Sequence, residues 1–185
     1  TVTDMAGCEV VDSFYVGQPA TPFVVGITET TPILCNGQTG GLTASTGGTG
    51  TFPYTYVWSS GPPNISTASN LFAGSYSCLV TDGNGCTDTA HYYLSEPDVL
   101  DPDFICDPID VLCKDDVANG EIAIVAMGGT QIPGIPGAYK YTLNPTGAVQ
   151  IDSAANFIGL SSGIYTVTVT DENGCSETSD NIFVD

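Results

Sequence analysis

A six-residue motif, Thr-Asp-x-x-Gly-Cys, occurs three times in this chain, at residues 3–8, 81–86 and 170–175. Its glycine suits a turn with a positive φ angle, and the Asp and Asn residues of the motif favour the same kind of turn. We therefore predict that each copy closes a hairpin, with Thr-Asp ending one strand and Cys beginning the next.

Fixed spacings between cysteine and proline show that the motif belongs to a longer repeat. Proline follows the motif cysteine by eleven positions, at Pro19 and Pro97, and another cysteine follows each proline by sixteen, at Cys35 and Cys113. The same count predicts proline immediately after residue 185 and a cysteine sixteen positions beyond that proline. We therefore expect the chain to be an excerpt from a continuous array.

The spacings divide the chain into the C-terminal tail of a preceding repeat at residues 1–19, one repeat at 20–97 and a second repeat at 98–185. The Gly-Gly-Thr sequence at 47–49 aligns with the one at 128–130, and the second repeat carries extra residues after this landmark. Repeats of this size are modules that stack in arrays and that tolerate insertions in loops.

The charge of the chain argues against two classes of partner. Its 185 residues include two lysines, no arginine and 21 acidic residues, which gives a formal net charge of -19. Such a surface repels the phosphates of nucleic acids and anionic lipid headgroups. No stretch reaches the roughly 18 apolar residues of a membrane span. We therefore expect no nucleic-acid partner and no direct membrane insertion.

Apolar and polar residues alternate in both repeats, for example at Tyr76, Cys78 and Val80, and this is the period of a half-buried strand. Clusters of Gly, Pro, Asn and Asp separate short strands of this kind. The pattern predicts an all-β fold of tandem immunoglobulin-like antiparallel β-sandwiches, with about seven strands each and short proline-marked linkers between them.

A second motif, Leu-x-x-Gly-x-Tyr, precedes the turn in both repeats and places Tyr76 and Tyr165 at equivalent positions. It is similar to the tyrosine corner of immunoglobulin-like sandwiches, in which a tyrosine hydroxyl bonds the backbone a few residues upstream. Trp58 is then the core aromatic residue of strand C. Leu143 occupies the equivalent position of the second repeat, which favours a packing role over a ligand-stacking role.

Cysteines that recur in both repeats predict the disulfides Cys35 to Cys86 and Cys113 to Cys175. Cys8 would pair with a cysteine upstream of this sequence. A bond that closes a loop of about 50 residues contributes up to about 4 kcal/mol on the chain-entropy model. Because structural disulfides persist in oxidising environments, we expect the chain to reside in an oxidising compartment.

The two remaining cysteines do not recur. Cys78 aligns with Val167 and is expected to face inward as a small apolar residue, whereas Cys106 has no partner by register. A bridge between Cys78 and Cys106 is the alternative.

The chain offers little for catalysis or cofactor binding. His91 is the only histidine, so neither a catalytic triad nor a histidine metal centre can be assembled. Carboxylates at the start of the second repeat could bind calcium, and they are Asp98, Asp101, Asp103, Asp107, Asp110, Asp115 and Asp116. The alternative is a solvated acidic face. We predict no enzymatic activity and no cofactor, with calcium as the remaining possibility.

Four sequence elements occur in one order, namely Cys-Asn-Gly near 35–41, Gly-Gly-Thr with Tyr-Thr-Tyr-x-Trp at 47–58, Asn-Leu-x-Ala-Gly-x-Tyr at 70–76 and the turn motif at 81–86. Together they resemble the SprB repeat of giant cell-surface adhesins of Bacteroidetes, which include a gliding-motility adhesin. The resemblance implies export by the type IX secretion route, an extracellular location at the cell surface in a long filament, and a role in adhesion or movement.

Two short sequences are similar to the O-glycosylation acceptor that Bacteroidetes use in exported proteins. They are Asp-Thr-Ala and Asp-Ser-Ala, with Thr89 and Ser153 as the residues that would carry the glycan. Chance matches are frequent in a chain so rich in threonine and serine.

Two functions follow from these observations. The first is a repetitive stalk segment of an extracellular adhesin filament, which spaces an adhesive region from the cell and contacts neighbouring repeats of the same chain. The alternative is a module that binds surface polysaccharide or another substratum through loops at one end of each sandwich, especially 61–69 and 131–138. Both loops lack Tyr, Trp and Phe, which favours the stalk.

Overall fold

The computed structural model describes residues 1–13, 21–61, 64–104 and 120–184. All regular structure in these ranges is β-strand, and no helix in them could cross a membrane. The predicted fold class is confirmed, because the strands build antiparallel sheets that pack in pairs around two separate cores.

The first repeat is a sandwich of two three-stranded sheets. Its strands are β3 (Val24–Thr31), β4 (Gly40–Gly47), β5 (Thr55–Trp58), β6 (Thr67–Leu71), β7 (Gly74–Thr81) and β8 (Thr87–Leu94), after a short N-terminal hairpin of β1 (Val2–Thr3) and β2 (Glu9–Val10). One sheet has the order β3-β4-β6 and the other β5-β7-β8, with every neighbouring pair antiparallel. These pairings correspond to strands A, B and E and strands C, F and G of an immunoglobulin-like domain.

The second repeat has the same arrangement with two additional strands. Its strands are β9 (Asp101–Phe104), β10 (Gly120–Met127), β11 (Tyr139–Asn144), β12 (Ala148–Asp152), β13 (Ala154–Leu160), β14 (Gly163–Thr170), β15 (Ser176–Thr178) and β16 (Ile182–Val184). One sheet has the order β13-β10-β9, and the other has β12-β11-β14-β15, with β16 also paired to β14. The predicted boundary between residues 97 and 98 lies between β8 and β9.

Each sandwich has its own core, and the aromatic position of strand C is buried in both. Trp58 is buried opposite Cys78 on β7, and its indole N–H donates to the Ile65 carbonyl at 3.1 Å. Leu143 is buried opposite Val167 on β14 in the same way. The packing role predicted for this position is confirmed, because the side chain points between the sheets in each repeat.

The tyrosine corner is also confirmed. The Tyr76 hydroxyl donates to the Phe72 carbonyl at 2.7 Å, and the Tyr165 hydroxyl donates to the Ser161 carbonyl at 2.9 Å. Each bond joins the first residues of strand F to the turn before it, so the corner stabilises the end of the sandwich opposite the F–G turn.

Candidate functional site: the junction between the repeats

The Thr-Asp-x-x-Gly-Cys motif is a turn organised by its aspartate. In the first repeat, the Asp82 carboxylate accepts from the N–H of Asn84 at 3.0 Å and of Cys86 at 2.8 Å. Asp171 accepts from the Cys175 N–H at 2.9 Å in the second repeat. The glycine before each cysteine has a φ angle between 83° and 84°, a left-handed conformation that glycine adopts without strain. We call residues 82–86 and 171–175 the motif turns.

Each motif turn is tied to the loop between strands B and C. The second carboxylate oxygen of Asp82 accepts from the Thr51 N–H at 3.0 Å, and that of Asp171 accepts from the Thr130 N–H at 2.9 Å. Thr51, and not Thr49, is therefore the structural counterpart of Thr130. The sequence alignment of 47–49 with 128–130 was wrong by two residues at this point.

Hydrogen bonding shifts the acidity of one of these aspartates. Asp82 is buried, yet the N–H groups of Thr51 and then Cys86 and Asn84 hold the pKa of its carboxyl below the ordinary value, against the opposing effect of burial. Within the described residues no buried side-chain polar atom lacks a hydrogen-bond partner. The motif aspartate is therefore a structural anion.

At the opposite end of the first sandwich, a loop that contains Cys35 binds the linker to the second repeat. We call residues 32–39 the cysteine loop. The Asn36 amide donates to the Pro97 carbonyl at 3.0 Å, and the Gly37 N–H donates to the Glu96 carboxylate at 2.7 Å. The linker residues between β8 and β9 are thus held against the sandwich that they leave.

The same loop is covalently bonded to the second repeat. Cys35 forms a disulfide with Cys175, with Cα atoms 5.7 Å apart and a sequence separation of 140 positions. The Asn173 amide donates to the Leu34 carbonyl at 3.3 Å and to the Thr130 hydroxyl at 3.0 Å. The motif turn of the second repeat therefore docks on the cysteine loop of the first.

This disulfide corrects the predicted pairing of Cys35 with Cys86 and of Cys113 with Cys175. The hairpin of β7 and β8 runs from the pair Thr81–Thr87, beside Cys86, to the pair Gly74–Leu94, beside the cysteine loop. Seven residue steps along a strand span about 23 Å. Cys35 and Cys86 therefore lie at opposite ends of one sandwich, too far apart for a disulfide.

The other cysteines fall into three groups. Cys8 and Cys86 are exposed free thiols. Cys78 is a buried free thiol, as predicted for an inward-facing apolar position, and it makes no bridge. Burial raises the pKa of the Cys78 thiol. Cys106 and Cys113 lie outside the described residues.

A glycine at the end of strand B makes a close contact with the linker possible. Gly128 has a φ angle of 74°, and a Cβ atom at this position would overlap the Val99 carbonyl oxygen. Gly48 has the same conformation in the first repeat, where a Cβ atom would overlap the Pro22 carbonyl oxygen. Gly48 is therefore the structural counterpart of Gly128, one residue after the Gly47 that the sequence alignment pairs with it, and a close backbone approach explains why glycine occurs at this position in both repeats.

A cleft of about 620 Å³ lies at the junction, and its carboxylates belong to Glu29, Glu96 and Asp98. The Tyr92 hydroxyl donates to Glu29 at 3.0 Å, and this bond raises the pKa of Tyr92. In the part of the chain that the structure describes, no three His, Cys, Asp or Glu residues are placed to hold a metal ion. The cleft is therefore an acidic surface.

The calcium candidates within the described residues do not form a ligand set. Asp98 lies in the linker, and Asp101 and Asp103 lie on β9, all three with exposed side chains. The remaining candidates, Asp107, Asp110, Asp115 and Asp116, lie outside the described residues. Calcium binding stays a prediction.

Both glycosylation candidates are exposed. Thr89 lies on β8, and Ser153 lies in the bend between β12 and β13. The carboxylate of Asp88 accepts from the Val25 N–H at 2.8 Å and from the Thr89 N–H at 2.8 Å, so this aspartate also joins strands A and G. Modification at either residue stays a prediction.

The two loops proposed for polysaccharide binding do not share one end of the sandwiches. Loop 131–138 precedes β11 and lies beside the motif turn, whereas 61–69 follows β5 and its last residues belong to β6. The Asn64 N–H donates to the Tyr56 carbonyl at 2.8 Å, so Asn64 lies beside β5. The expectation of one common loop surface was wrong, because the loops flank strand C on opposite sides.

No family model matches the chain, and no curated protein matches it. Among solved structures, it is similar to three N-terminal domains of the Highly Immunogenic Outer Capsid protein of bacteriophage RB49 (TM-score 0.50, 17% identity, 88% of this chain and 58% of that chain). It is also similar to Sidekick-1 immunoglobulin domains 1-5 (TM-score 0.40, 15% identity, 91% of this chain and 39% of that chain). The chain thus spans less than two thirds of either structure. These likenesses concern the fold alone.

Proposed function

We propose that this chain is a stalk segment of an extracellular adhesin filament, in which sandwiches held end to end space an adhesive region from the cell. The observation that carries the proposal is the Cys35–Cys175 disulfide, which crosses the junction between repeats. A disulfide and immunoglobulin-like sandwiches are typical of extracellular domains. The role is mechanical, and it requires no catalytic group.

The disulfide changes how tension passes through the chain. A force applied at the two termini passes along the chain to Cys35, crosses the sulfur atoms and leaves through Cys175. The chain between these cysteines, which includes most residues of both hydrophobic cores, carries no tension while the bond is intact. Strands β3, β15 and β16 lie outside the bridged segment and remain under tension. Even if shear detaches these outer strands, the bridged segment cannot extend until the disulfide is broken.

The experiment is single-molecule pulling of the two-repeat chain by its termini, with and without reductant. The bridged segment spans 140 residues, which corresponds to about 490 Å of extended chain. We expect this length to be released only after reduction. The double variant Cys35→Ser/Cys175→Ser should release it without reductant, and it is the matched control. Equal contour lengths in oxidised and reduced wild-type chains would contradict the proposal that the disulfide carries the tension.

The sequence resemblance to SprB repeats supports a more specific proposal, namely export by the type IX route and a role in surface attachment or gliding. The spacing of cysteine and proline offers the test. The parent polypeptide should continue with proline directly after residue 185 and a cysteine sixteen positions later. An unrelated sequence there would remove the argument for a long array.

Polysaccharide binding is the alternative function, and loop chemistry argues against it because 61–69 and 131–138 lack aromatic residues. A glycan array with the two-repeat chain separates the alternatives. Reproducible binding to one class of glycan would replace the pure spacer with a binding module.

A further inference from the structure

The end of the first sandwich that carries residues 82–86 has a surface equivalent to the one through which the second sandwich docks on the cysteine loop. The Cys86 N–H donates to Asp82 at 2.8 Å, and the Cys175 N–H donates to Asp171 at 2.9 Å. The Asp82 N–H donates to the Cys86 carbonyl at 2.9 Å, and the equivalent bond of the second repeat has the same length. The two motif turns therefore have the same backbone hydrogen bonds around their cysteines.

The asparagine of the motif is also placed alike in the two repeats. The Asn84 amide donates to the Thr51 hydroxyl at 2.8 Å, and the Asn173 amide donates to the Thr130 hydroxyl at 3.0 Å. A side-chain amide has two N–H donors. Asn173 directs a further donor at the Leu34 carbonyl, next to the bonded Cys35. Asn84 makes no equivalent contact among its described hydrogen bonds.

Two further features mark this end of the first sandwich as an unoccupied contact surface. Cys86 is an exposed free thiol, whereas its counterpart Cys175 is bonded. Phe52, next to Thr51, has 82% of its surface exposed, and its ring meets the edge of Tyr54 with centroids 6.3 Å apart. Covering this ring in a contact would bury apolar surface and would stabilise the docked state.

We propose that the motif turn of the first repeat docks on the cysteine loop of a preceding repeat of the same polypeptide, and that Cys86 bonds the cysteine of that loop. Asn84 would donate to the carbonyl before that cysteine, as Asn173 does to Leu34, and Phe52 would be covered. This inference rests on the proposed function, because it requires a repeat before residue 20. The Thr-Asp-x-x-Gly-Cys copy at residues 3–8 forms an equivalent turn, in which the N–H groups of Ala6 and Cys8 donate to Asp4. This is the turn expected at the end of such a preceding repeat.

The bond is an ordinary thiol–disulfide exchange. The two cysteine thiols lose two protons and two electrons and form one S–S bond, while a protein or small-molecule disulfide accepts them and is reduced to two thiols. Each cysteine loop would then be linked to the motif turn of the following repeat. The disulfides of successive junctions would interleave along the whole stalk.

Peptide mapping of the native polypeptide without reduction is the decisive test. Cys86 is expected in a disulfide with a cysteine from outside residues 1–185, flanked by a sequence like Leu-Cys-Asn-Gly. A free Cys86, or Cys86 bonded to Cys35, would overturn the inference. A free Cys86 in a polypeptide that does contain a preceding repeat would leave the stalk proposal standing, whereas the absence of any preceding repeat would count against both.

A second experiment uses the 185-residue chain and tests whether its motif turn at residues 82–86 recognises a cysteine-loop peptide. The probe is a synthetic peptide of residues 30–40 whose cysteine is a mixed disulfide with 2-thiopyridine, and the control is the same peptide in scrambled order. Cys8 provides an internal control, because it is an exposed motif cysteine with Ala6 in place of asparagine. Mass spectrometry measures the rate at which each cysteine forms a disulfide with the peptide.

We expect the ratio of the Cys86 rate to the Cys8 rate to be at least tenfold higher with the loop peptide than with the scrambled peptide. Asn84→Ala should abolish that preference, so that the ratio with the loop peptide falls to the ratio with the scrambled peptide. Equal ratios for the two peptides would show that the turn does not recognise the loop, and would contradict the docking geometry.

Discussion

Asp82 accepts a hydrogen bond of 3.0 Å from the backbone N–H of Thr51, and this bond joins the motif turn to the loop before strand C. Asp171 makes the same bond to Thr130. The motif aspartate therefore stabilises the surface on which one repeat meets another, in addition to its own turn. The recurrence of Thr-Asp-x-x-Gly-Cys follows from this double role, because the aspartate positions the cysteine and the neighbouring loop together.

The lowered pKa of Asp82 predicts a pH-dependent contribution to stability. Because its folded pKa lies below its unfolded value of about 3.9, the contribution is fully present above that value and is lost as pH falls through the folded pKa. We expect Asp82→Asn to destabilise the chain at pH 7, and the difference from wild type to shrink below about pH 4.

The measurement is urea unfolding of both proteins at several pH values. Only the difference between them is informative, because protonation of other carboxylates also relieves repulsion in a chain with a net charge of -19. A difference that stays constant down to pH 2 would contradict the role of the ionised carboxylate.

The tyrosine corner should make a measurable contribution in the second repeat. Tyr165→Phe removes the hydroxyl that donates to Ser161 and should lower the free energy of unfolding by about 0.5 to 1.5 kcal/mol. Tyr93→Phe is the matched control, because Tyr93 is 68% exposed on β8. Thermal and urea unfolding should separate the two variants. Equal effects would mean that the corner bond adds nothing to stability.

The buried position of Cys78 predicts both its reactivity and its tolerance of substitution. Native chain treated with iodoacetamide at pH 8 should be alkylated at Cys8 and Cys86 but not at Cys78, because burial protects that thiol and raises its pKa. Cys78→Val should change stability little, since Val167 fills the equivalent site. Cys78→Ser should destabilise by about 1 to 3 kcal/mol by burying a hydroxyl.

Much of the sandwich could be predicted from the sequence because it depends on local patterns. Alternation at Tyr76, Cys78 and Val80 reports which side of a strand faces the core, and the structure buries Cys78 and Val80. Trp58 and Leu143 were assigned to the core because equivalent positions must fill the same space. These inferences need only the period of a strand and the register of the repeat.

The disulfide could not be predicted in this way, because register identifies equivalent cysteines but not neighbouring ones. Pairing Cys35 with Cys86 assumed that both lie at one end of a sandwich. Four strands, β4 to β7, lie between Cys35 and Cys86, and a chain that reversed after each strand would return to the same end after an even number. The structure instead shows β7 running away from the cysteine loop, so Cys86 lies at the opposite end of the sandwich. Their bonding partners had to come from adjacent repeats.

The close approach of Gly128 to the linker predicts that the junction depends on a glycine. Gly128→Ala would place a Cβ atom against the Val99 carbonyl and would force an alanine into a left-handed φ angle of 74°. Gly147→Ala is the matched control, because Gly147 has a φ angle of 75° with no atom near its Cβ position. The control should cost about 1 to 2 kcal/mol from backbone strain alone.

The overlap at Gly128 should add at least about 1 kcal/mol to that cost, because backbone atoms cannot move aside as a flexible side chain does. Since Val99 lies in the linker, Gly128→Ala should also displace the second repeat from the cysteine loop. We therefore expect slower formation of the Cys35–Cys175 disulfide during oxidative refolding, measured by mass spectrometry of alkylated samples. Gly147→Ala should form that disulfide at the wild-type rate. If both variants matched the wild type in stability and in oxidation rate, the contact between strand B and the linker would have no part in holding the junction.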